Sequence, residues 1–346
     1  MSKNRAAVAL SGGVDSSAAA LLLKKAAYEV IGIHMRLWDS PSFDNQAKRA
    51  ENICRILDIP YHQFDVQREF ESRVVDYFCQ EYQHGRTPNP CVACNQHIKF
   101  GLLLDKALSL EADYLATGHY ARVVHSEDGH RLLKAKDTSR DQCYFLYTLT
   151  QEKLGRVLFP LGDRSRDEVK QIARQAGLPA TTKSSQDICF ISQKNYGAFI
   201  TQRFSALPGD VVDTEGSKLG QHRGIAFYTI GQRHGLGLAS VRPLYVVRIE
   251  PGINRIVLGP EQELYNQKLS ARKLNWISGK APHGPITARA KIRYKSKEAE
   301  AILFPVDDSV DVYFAQPQKA IAPGQAIVFY NADEVLGGGI IHRVQK

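Results

Sequence analysis

Apolar and polar positions follow two different periods along this chain, and the change of period divides it. In the first half, short apolar runs alternate with stretches of helical spacing. Residues 6–10 (Ala-Ala-Val-Ala-Leu) predict a buried strand, and residues 15–27, rich in Ala, Leu and Lys, predict a helix. Residues 30–35 predict a second strand. Residues 47–57 carry apolar side chains at helical spacing (Ala50, Ile53, Cys54, Leu57). A short third strand over 61–64, helices over 66–82 and 96–110, and a strand over 114–117 follow. Strands alternating with helices imply right-handed crossovers and a doubly wound parallel sheet. Ser165 and Glu168 form a capping-box pattern that starts a helix ending at Gly177, just before Pro179. From about residue 197 the helical period disappears. Gly- and Pro-punctuated strands are predicted over 244–249, 255–258, 289–294, 311–314 and 326–330, the texture of small β-rich domains.

This pattern predicts three units: an α/β domain over 1–196, a small central β-rich domain over 197–266 and a C-terminal domain over 267–346. The chain has 346 residues, 43% hydrophobic and 23% charged, which excludes a disordered or fibrous protein. No apolar run approaches the ~18–20 residues of a membrane span, and residues 6–10 are too short for the core of a signal peptide. A cytoplasmic protein with no membrane partner is the expectation. Six cysteines are too sparse for a disulfide scaffold and point instead to catalysis, metal or packing. Cys54, Cys79 and Cys143 read as packing residues.

Charge changes the picture further. Lys plus Arg outnumber Asp plus Glu by 45 to 36, a net +9, and residues 267–346 alone hold 12 against 7, a net +5. A basic end suits a polyanionic partner, although a solvated basic face is the simpler alternative. Within it, Arg289, Lys291, Arg293, Lys295 and Lys297 occupy alternate positions. A strand there would put all five on one face, either to meet phosphates or to guard an exposed edge.

The candidate chemistry begins at Ser11-Gly12-Gly13-Val14-Asp15-Ser16-Ser17, between the first strand and the first helix. Glycines and small hydroxyl residues let successive N–H groups turn toward an anion, and the helix N-terminus adds its positive dipole end. Gly13 is the expected point where a side chain would block the turn. Asp15 is expected to help cap the helix and to lie near magnesium. A Walker loop is excluded because Gly-Lys-Ser/Thr is absent.

The second candidate is the run from Gly85 to Asn95, Gly-Arg-Thr-Pro-Asn-Pro-Cys-Val-Ala-Cys-Asn. Two prolines predict a loop leading into the helix at Gln96, with Cys94 near the helix N-terminus, where a thiol's pKa falls. Cys91 and Cys94 form a Cys-x-x-Cys, but zinc needs about four ligands and no second such pair exists, so no metal site is expected. The third candidate is Cys189, in a polar loop with Lys183 nearby.

Together with Ala116 to Arg122, Asp141 to Leu146, Ile188-Cys189-Phe190 and Tyr228-Thr229-Ile230-Gly231-Gln232-Arg233-His234-Gly235-Leu236-Gly237, these motifs make nearly the whole chain resemble the bacterial tRNA-specific 2-thiouridylases. These are ATP pyrophosphatases that thiolate the wobble uridine, U34, of tRNA. The resemblance implies an adenine nucleotide alpha hydrolase-like first domain and a C-terminal β-barrel that binds tRNA. It implies ATP contacts at Ala9, Leu10, Ser11, Gly12, Gly13, Val14, Asp15, Ser16, Met35 and Gly118. It makes Cys94 the nucleophile and Cys189 the persulfide carrier, the two forming a transient disulfide. Asn89, Pro90 and Cys91 would touch the target base, and His119, Arg140, Asp141, Gln142, Arg293, Tyr294 and Gln325 other parts of the tRNA. The implied cofactors are ATP and substrate-bound Mg2+, with none tightly held. The implied partners are the Lys, Glu and Gln isoacceptors and a cysteine desulfurase or sulfur-relay protein. Two positions depart from the family: some members carry Asp in place of Cys91, and Lys is frequent in place of Arg140. An amide-forming synthetase for a small molecule is the alternative enzyme, against which the cysteine pair and the basic C-terminus weigh. A non-catalytic RNA-binding module is a third reading, against which the intact loop weighs.

Overall fold

The computed structural model describes residues 4–127, 129–178, 188–191, 196–238 and 242–345. Lys183 lies outside them, so its expected influence on Cys189 does too.

The first half is the expected doubly wound sheet. Strands β1 (Arg5–Ala9), β2 (Glu29–Arg36), β3 (Tyr61–Asp65), β4 (Tyr114–Ala116) and β7 (Val157–Leu158) run parallel in the order β3-β2-β1-β4-β7. The period of two in β1 assigns its faces. Ala6, Val8 and Leu10 pack under helices α1 (Val14–Lys25) and α2 (Pro41–Leu57), while Ala7 packs with Phe100 and Leu103 on the opposite side. Both faces are covered, which is why these strands read as continuous apolar runs. The chain leaves β1 toward β2 on one side and returns to β4 on the other, so a switch point opens at the C-terminal end of β1, where ligands of such sheets bind.

Two helices start earlier than the sequence pattern predicted. α2 begins at Pro41 behind Ser40, and the helix over 90–109 begins at Pro90 behind Asn89, whose Oδ1 accepts from the N–H groups of Cys91 and Val92 at 3.2 and 3.3 Å. A proline at the first helical position loses no bond, because that N–H has no intrahelical partner. The Ser165–Glu168 capping box forms in full and starts the helix Arg166–Gln175. Cys54, Cys79 and Cys143 are buried packing residues.

The remainder is β-rich, as its texture predicted. A four-stranded sheet takes the order β10-β11-β8-β9, from β8 (Gly209–Val212), β9 (Lys218–His222), β10 (Tyr245–Glu250) and β11 (Arg255–Gly259). The C-terminal strands β12 (Tyr265–Trp276), β13 (Ile286–Lys291), β14 (Ala299–Val306), β15 (Ser309–Lys319), β16 (Ala326–Asn331) and β17 (Glu334–Gln345) pair in the order β12-β15-β14-β13-β16-β17. The β12–β17 pairing closes them into a barrel. A hairpin from the first half, β5 (Ala121–Ser126) and β6 (Gly129–Lys134), joins this sheet through Leu133 opposite Glu334. Among the described residues no helix is long and apolar enough to cross a membrane.

The basic strand is corrected. β13 ends at Lys291, and the chain turns through Arg293, whose carbonyl accepts from Ser296 N–H at 3.0 Å. The five cations therefore do not share one strand face. Arg289 lies 3.8 Å from Glu298, and Lys291 sits over the ring of Tyr294.

Candidate active site

The glycine turn leaves β1 at Leu10, whose N–H donates to Ile33 O at 2.8 Å. Gly12 carries φ +73°, and a Cβ there would lie 2.8 Å from Arg49 Cβ and 2.9 Å from Gln46 O on α2. Gly13 is extended (φ −99°), and a Cβ on it would meet only Ser11 Oγ at 3.5 Å. The position that demands glycine is thus Gly12, correcting the expectation for Gly13. Gly118 is the second: a Cβ on it would lie 2.8 Å from Asp15 C and Ser16 N, so the 117–119 loop touches the turn backbone to backbone. Ser16 Oγ accepts from Ser11 N–H at 3.2 Å and donates to Gly13 O at 3.0 Å, which ties the turn to the first turn of α1.

A cleft of about 230 Å3 opens against this turn. Ala9, Leu10, Ser11, Asp15, Ser16, Met35 and Gly118 line it, joined by His119 and Gln142. Gly12, Gly13 and Val14 lie on the turn itself. Asp15 does not cap α1, whose N-cap is Gly13 without a side-chain bond. Its carboxylate is held instead by Arg166 Nη1 at 2.6 Å and Tyr120 OH at 3.0 Å. Asp15 is the one carboxylate lining the cleft among the described residues, and both its oxygens are engaged, so the donor set does not fit a protein-held magnesium.

Several residues of the site gave no sequence signal. Arg49 packs over Gly12, and its buried Nε has no hydrogen-bond partner among the described residues. Arg166 comes from a distant helix. His34 lines the cleft with Nδ1 2.7 Å from Leu10 O and Nε2 without a hydrogen-bond partner among the described residues. Lys99 also lines it, 3.5 Å from His119 Nε2. His119 Nδ1 lies 2.7 Å from Thr117 Oγ1, and burial, reinforced by Lys99, holds its pKa well below the usual histidine range. The ring is neutral, with Nδ1–H donating to Thr117 and Nε2 facing the ammonium. A lysine five residues past Cys94 was the one local hint of this group.

The cysteines meet beside the cleft. Cys94 is buried, in the second turn of the helix, so the N-terminal N–H groups that were to activate it are already served by Asn89. Burial pushes its thiol up to about 11, against the opposing pull of Lys99. Cys189 is pushed up to about 12, first by desolvation and then by Cys94 and Cys91, with Lys99 again opposing. Cys91 is raised by the same desolvation and lowered by Lys99. Cys91 and Cys189 reach solvent, yet the protein packed around them still disfavours a thiolate. The expected ready-made thiolates are therefore absent in this state, because packing outweighs one lysine and a helix end. Phe190 anchors the 188–191 segment, its ring 5.4 Å from Phe78 and 5.8 Å from Phe70 in the cluster that also buries Cys94. Among the described residues no group of three His, Cys, Asp or Glu could hold a metal ion.

The remaining predicted residues border the same region. Tyr294 OH donates to Asp141 O at 3.2 Å, and its ring lies 4.4 Å from Phe145. Gln325 Nε2 donates to Thr87 O at 3.0 Å, just before Asn89 and Pro90. Gln142 Oε1 accepts from Tyr120 N–H. Arg293 is exposed in the turn after β13, and burial raises the Tyr294 pKa against the opposing pull of Arg140.

Comparison with known proteins finds matches to three stretches of the chain. Residues 4–193 match the family described as tRNA methyl transferase HUP domain, residues 197–260 its PRC-barrel domain, and residues 266–341 the aminomethyltransferase β-barrel domain. A tRNA-specific 2-thiouridylase of Acetivibrio thermocellus is 45% identical over 99% of this chain and 100% of its own length. One from Syntrophus aciditrophicus is 46% identical over 98% and 93%. One from Caldanaerobacter subterraneus is 47% identical over 98% of both chains.

Proposed function

The chain belongs to the tRNA-specific 2-thiouridylase family and is a tRNA-uridine 2-sulfurtransferase, and on that premise we propose how its residues divide the reaction. ATP binds in the cleft at the glycine turn, and the C2 oxygen of U34 attacks its α-phosphate, releasing pyrophosphate. Oxygen leaves C2 poorly as it stands, and adenylation converts it to AMP, a good leaving group. Cys189 carries a persulfide received from a cysteine desulfurase or sulfur-relay protein. Its terminal sulfur attacks C2 and AMP departs. Cys94 then attacks Cys189 Sγ, which breaks the sulfur–sulfur bond and leaves a thiocarbonyl on the base. The product disulfide joins Cys94 and Cys189, and an external dithiol reduces it before the next turnover. Asn89, Pro90 and Cys91 contact the target base, and the barrel and the 140–142 segment contact the rest of the tRNA of the Lys, Glu and Gln isoacceptors.

The observation that carries this reading is the meeting of three thiols around Lys99, a cation that also lines the nucleotide cleft. Thiols are raised in pKa at rest, and a persulfide, more acidic than its parent thiol, ionises where a thiol does not. The test is a reaction with ATP, a persulfide donor and tRNA. Cys94→Ser and Cys189→Ser should each abolish thiolation while tRNA-dependent AMP formation persists, with Cys91→Ser only partly impaired. Full thiolation by Cys189→Ser, or AMP formation indifferent to tRNA, would overturn it.

A further inference from the structure

A second cavity, of about 640 Å3, lies away from the nucleotide cleft, between the helix over 90–109, the 147–153 segment and the barrel. Four separate elements send basic side chains to it. Arg73 comes from the helix over 67–83, His97 from the helix over 90–109, Lys153 from the short helix Gln151–Leu154, and Lys273 from β12. No acidic side chain lines the cavity, and Arg73, Lys153 and Lys273 have no ion-pair partner among the described residues. The three act on one point: besides its burial, each lowers the pKa of His97.

The backbone is shaped for this arrangement. Pairing of β12 with β17 breaks between Arg272 and Asn275, and Lys273 within the break takes φ +52°. A bulge of this kind re-aims a side chain, and a non-glycine residue in the left-handed region carries strain that its surroundings must sustain. Asn275 Nδ2 donates to Tyr147 O and Leu149 O at 2.6 and 3.0 Å, fixing the barrel strand to the segment that leads to Lys153. Like charges gathered this way repel one another, so the arrangement stores a preference for an anion.

We propose that this basic cleft binds backbone phosphates of the tRNA next to the target uridine, as a second anchoring surface separate from the catalytic groups. The proposal rests on the tRNA reading above. Two features select RNA over a free nucleotide. Among the described residues the cavity has no glycine turn, and the N–H groups of Cys91 and Val92 at the nearest helix end are already capped by Asn89, so these residues offer no backbone cradle for a terminal phosphate. Its charge instead sits on long side chains, with Arg73 and Lys273 exposed at the rim, where a strand can pass over them. Asn89 lines the cavity and also begins the segment assigned to the target base, which makes the two surfaces continuous.

The test is tRNA binding by the full-length protein across a potassium chloride series, for wild type, Arg73→Ala, Lys153→Ala, Lys273→Ala and the triple variant. Each lost phosphate contact should flatten log K against log[salt] by about 0.7–0.9, so the triple variant should lose roughly 2–3. Lys153→Arg with Lys273→Arg should keep the wild-type slope, because the charge is retained. Thermal melting and ATP binding unchanged from wild type show that the variants fold. A triple variant with the wild-type slope overturns the cleft while leaving the tRNA reading intact. So does an unchanged slope with lost binding to the persulfide donor, which would make the surface a protein dock. A wild type that does not bind tRNA at low salt removes both.

Discussion

Replacing Gly12 by Ala tests the nucleotide turn at the one residue where backbone and packing both demand glycine. The left-handed conformation costs an L-residue about 1–2 kcal/mol. The new Cβ would also stand 2.8 Å from Arg49 Cβ and 2.9 Å from Gln46 O, closer than such atoms come, so α2 or the turn must give way. The strain then appears in one of two places. If the turn stays in its shape, the whole cost falls on the fold, and a shift of ~2–4 °C per kcal/mol for a unit of this size lowers Tm by about 2–8 °C. If the turn relaxes in the free protein, ATP binding must restore it, and 1–2 kcal/mol becomes roughly a five- to thirtyfold loss of affinity. Gly13→Ala is the matched control. Its φ is already that of an ordinary residue and its Cβ meets only Ser11 Oγ at 3.5 Å, so it should change neither Tm nor affinity appreciably. Calorimetric titration with a non-hydrolysable ATP analogue, paired with thermal melting, reads both quantities. Equal effects of the two substitutions, or a larger effect at Gly13, would refute the reasoning.

Three further outcomes follow from the site's electrostatics. With thiols at about 11 and 12, iodoacetamide labelling of Cys94 and Cys189 should rise about tenfold per pH unit between pH 7 and 9. Because Lys99 favours the thiolate, Lys99→Met should raise both pKa values and slow labelling across that range, and equal or faster labelling would contradict the assigned role. Asp15→Asn removes a charge held at 2.6 Å by the mostly buried Arg166, leaving the guanidinium uncompensated, and should cost about 1–3 kcal/mol in denaturant unfolding. A midpoint within error of wild type would show the pair to be solvent-screened.

What the sequence determined by itself was whatever depends on neighbours in the chain. Continuous apolar runs over residues 6–10 and 30–35, helical spacing between them and the Ser165–Glu168 box were local patterns, and they formed where expected. The glycine turn and the Cys-x-x-Cys were legible for the same reason. Other features were decided only by the tertiary structure. Which of two adjacent glycines is indispensable depends on α2 lying over Gly12, and no local rule places Arg49 there. Asp15 looked like a cap because it opens a helix, yet Arg166, 151 residues away, claims it. Cys94 looked activated by a helix end because proline was read as a break, but Pro90 sits inside the helix and burial then sets the thiol. The five alternating cations were a valid strand pattern, but periodicity cannot say where a barrel strand must turn, and this one ends at Lys291. Desolvation and long-range charge pairing act through space, so they exist only once distant segments meet, and here those forces set the protonation of every thiol and histidine in the site.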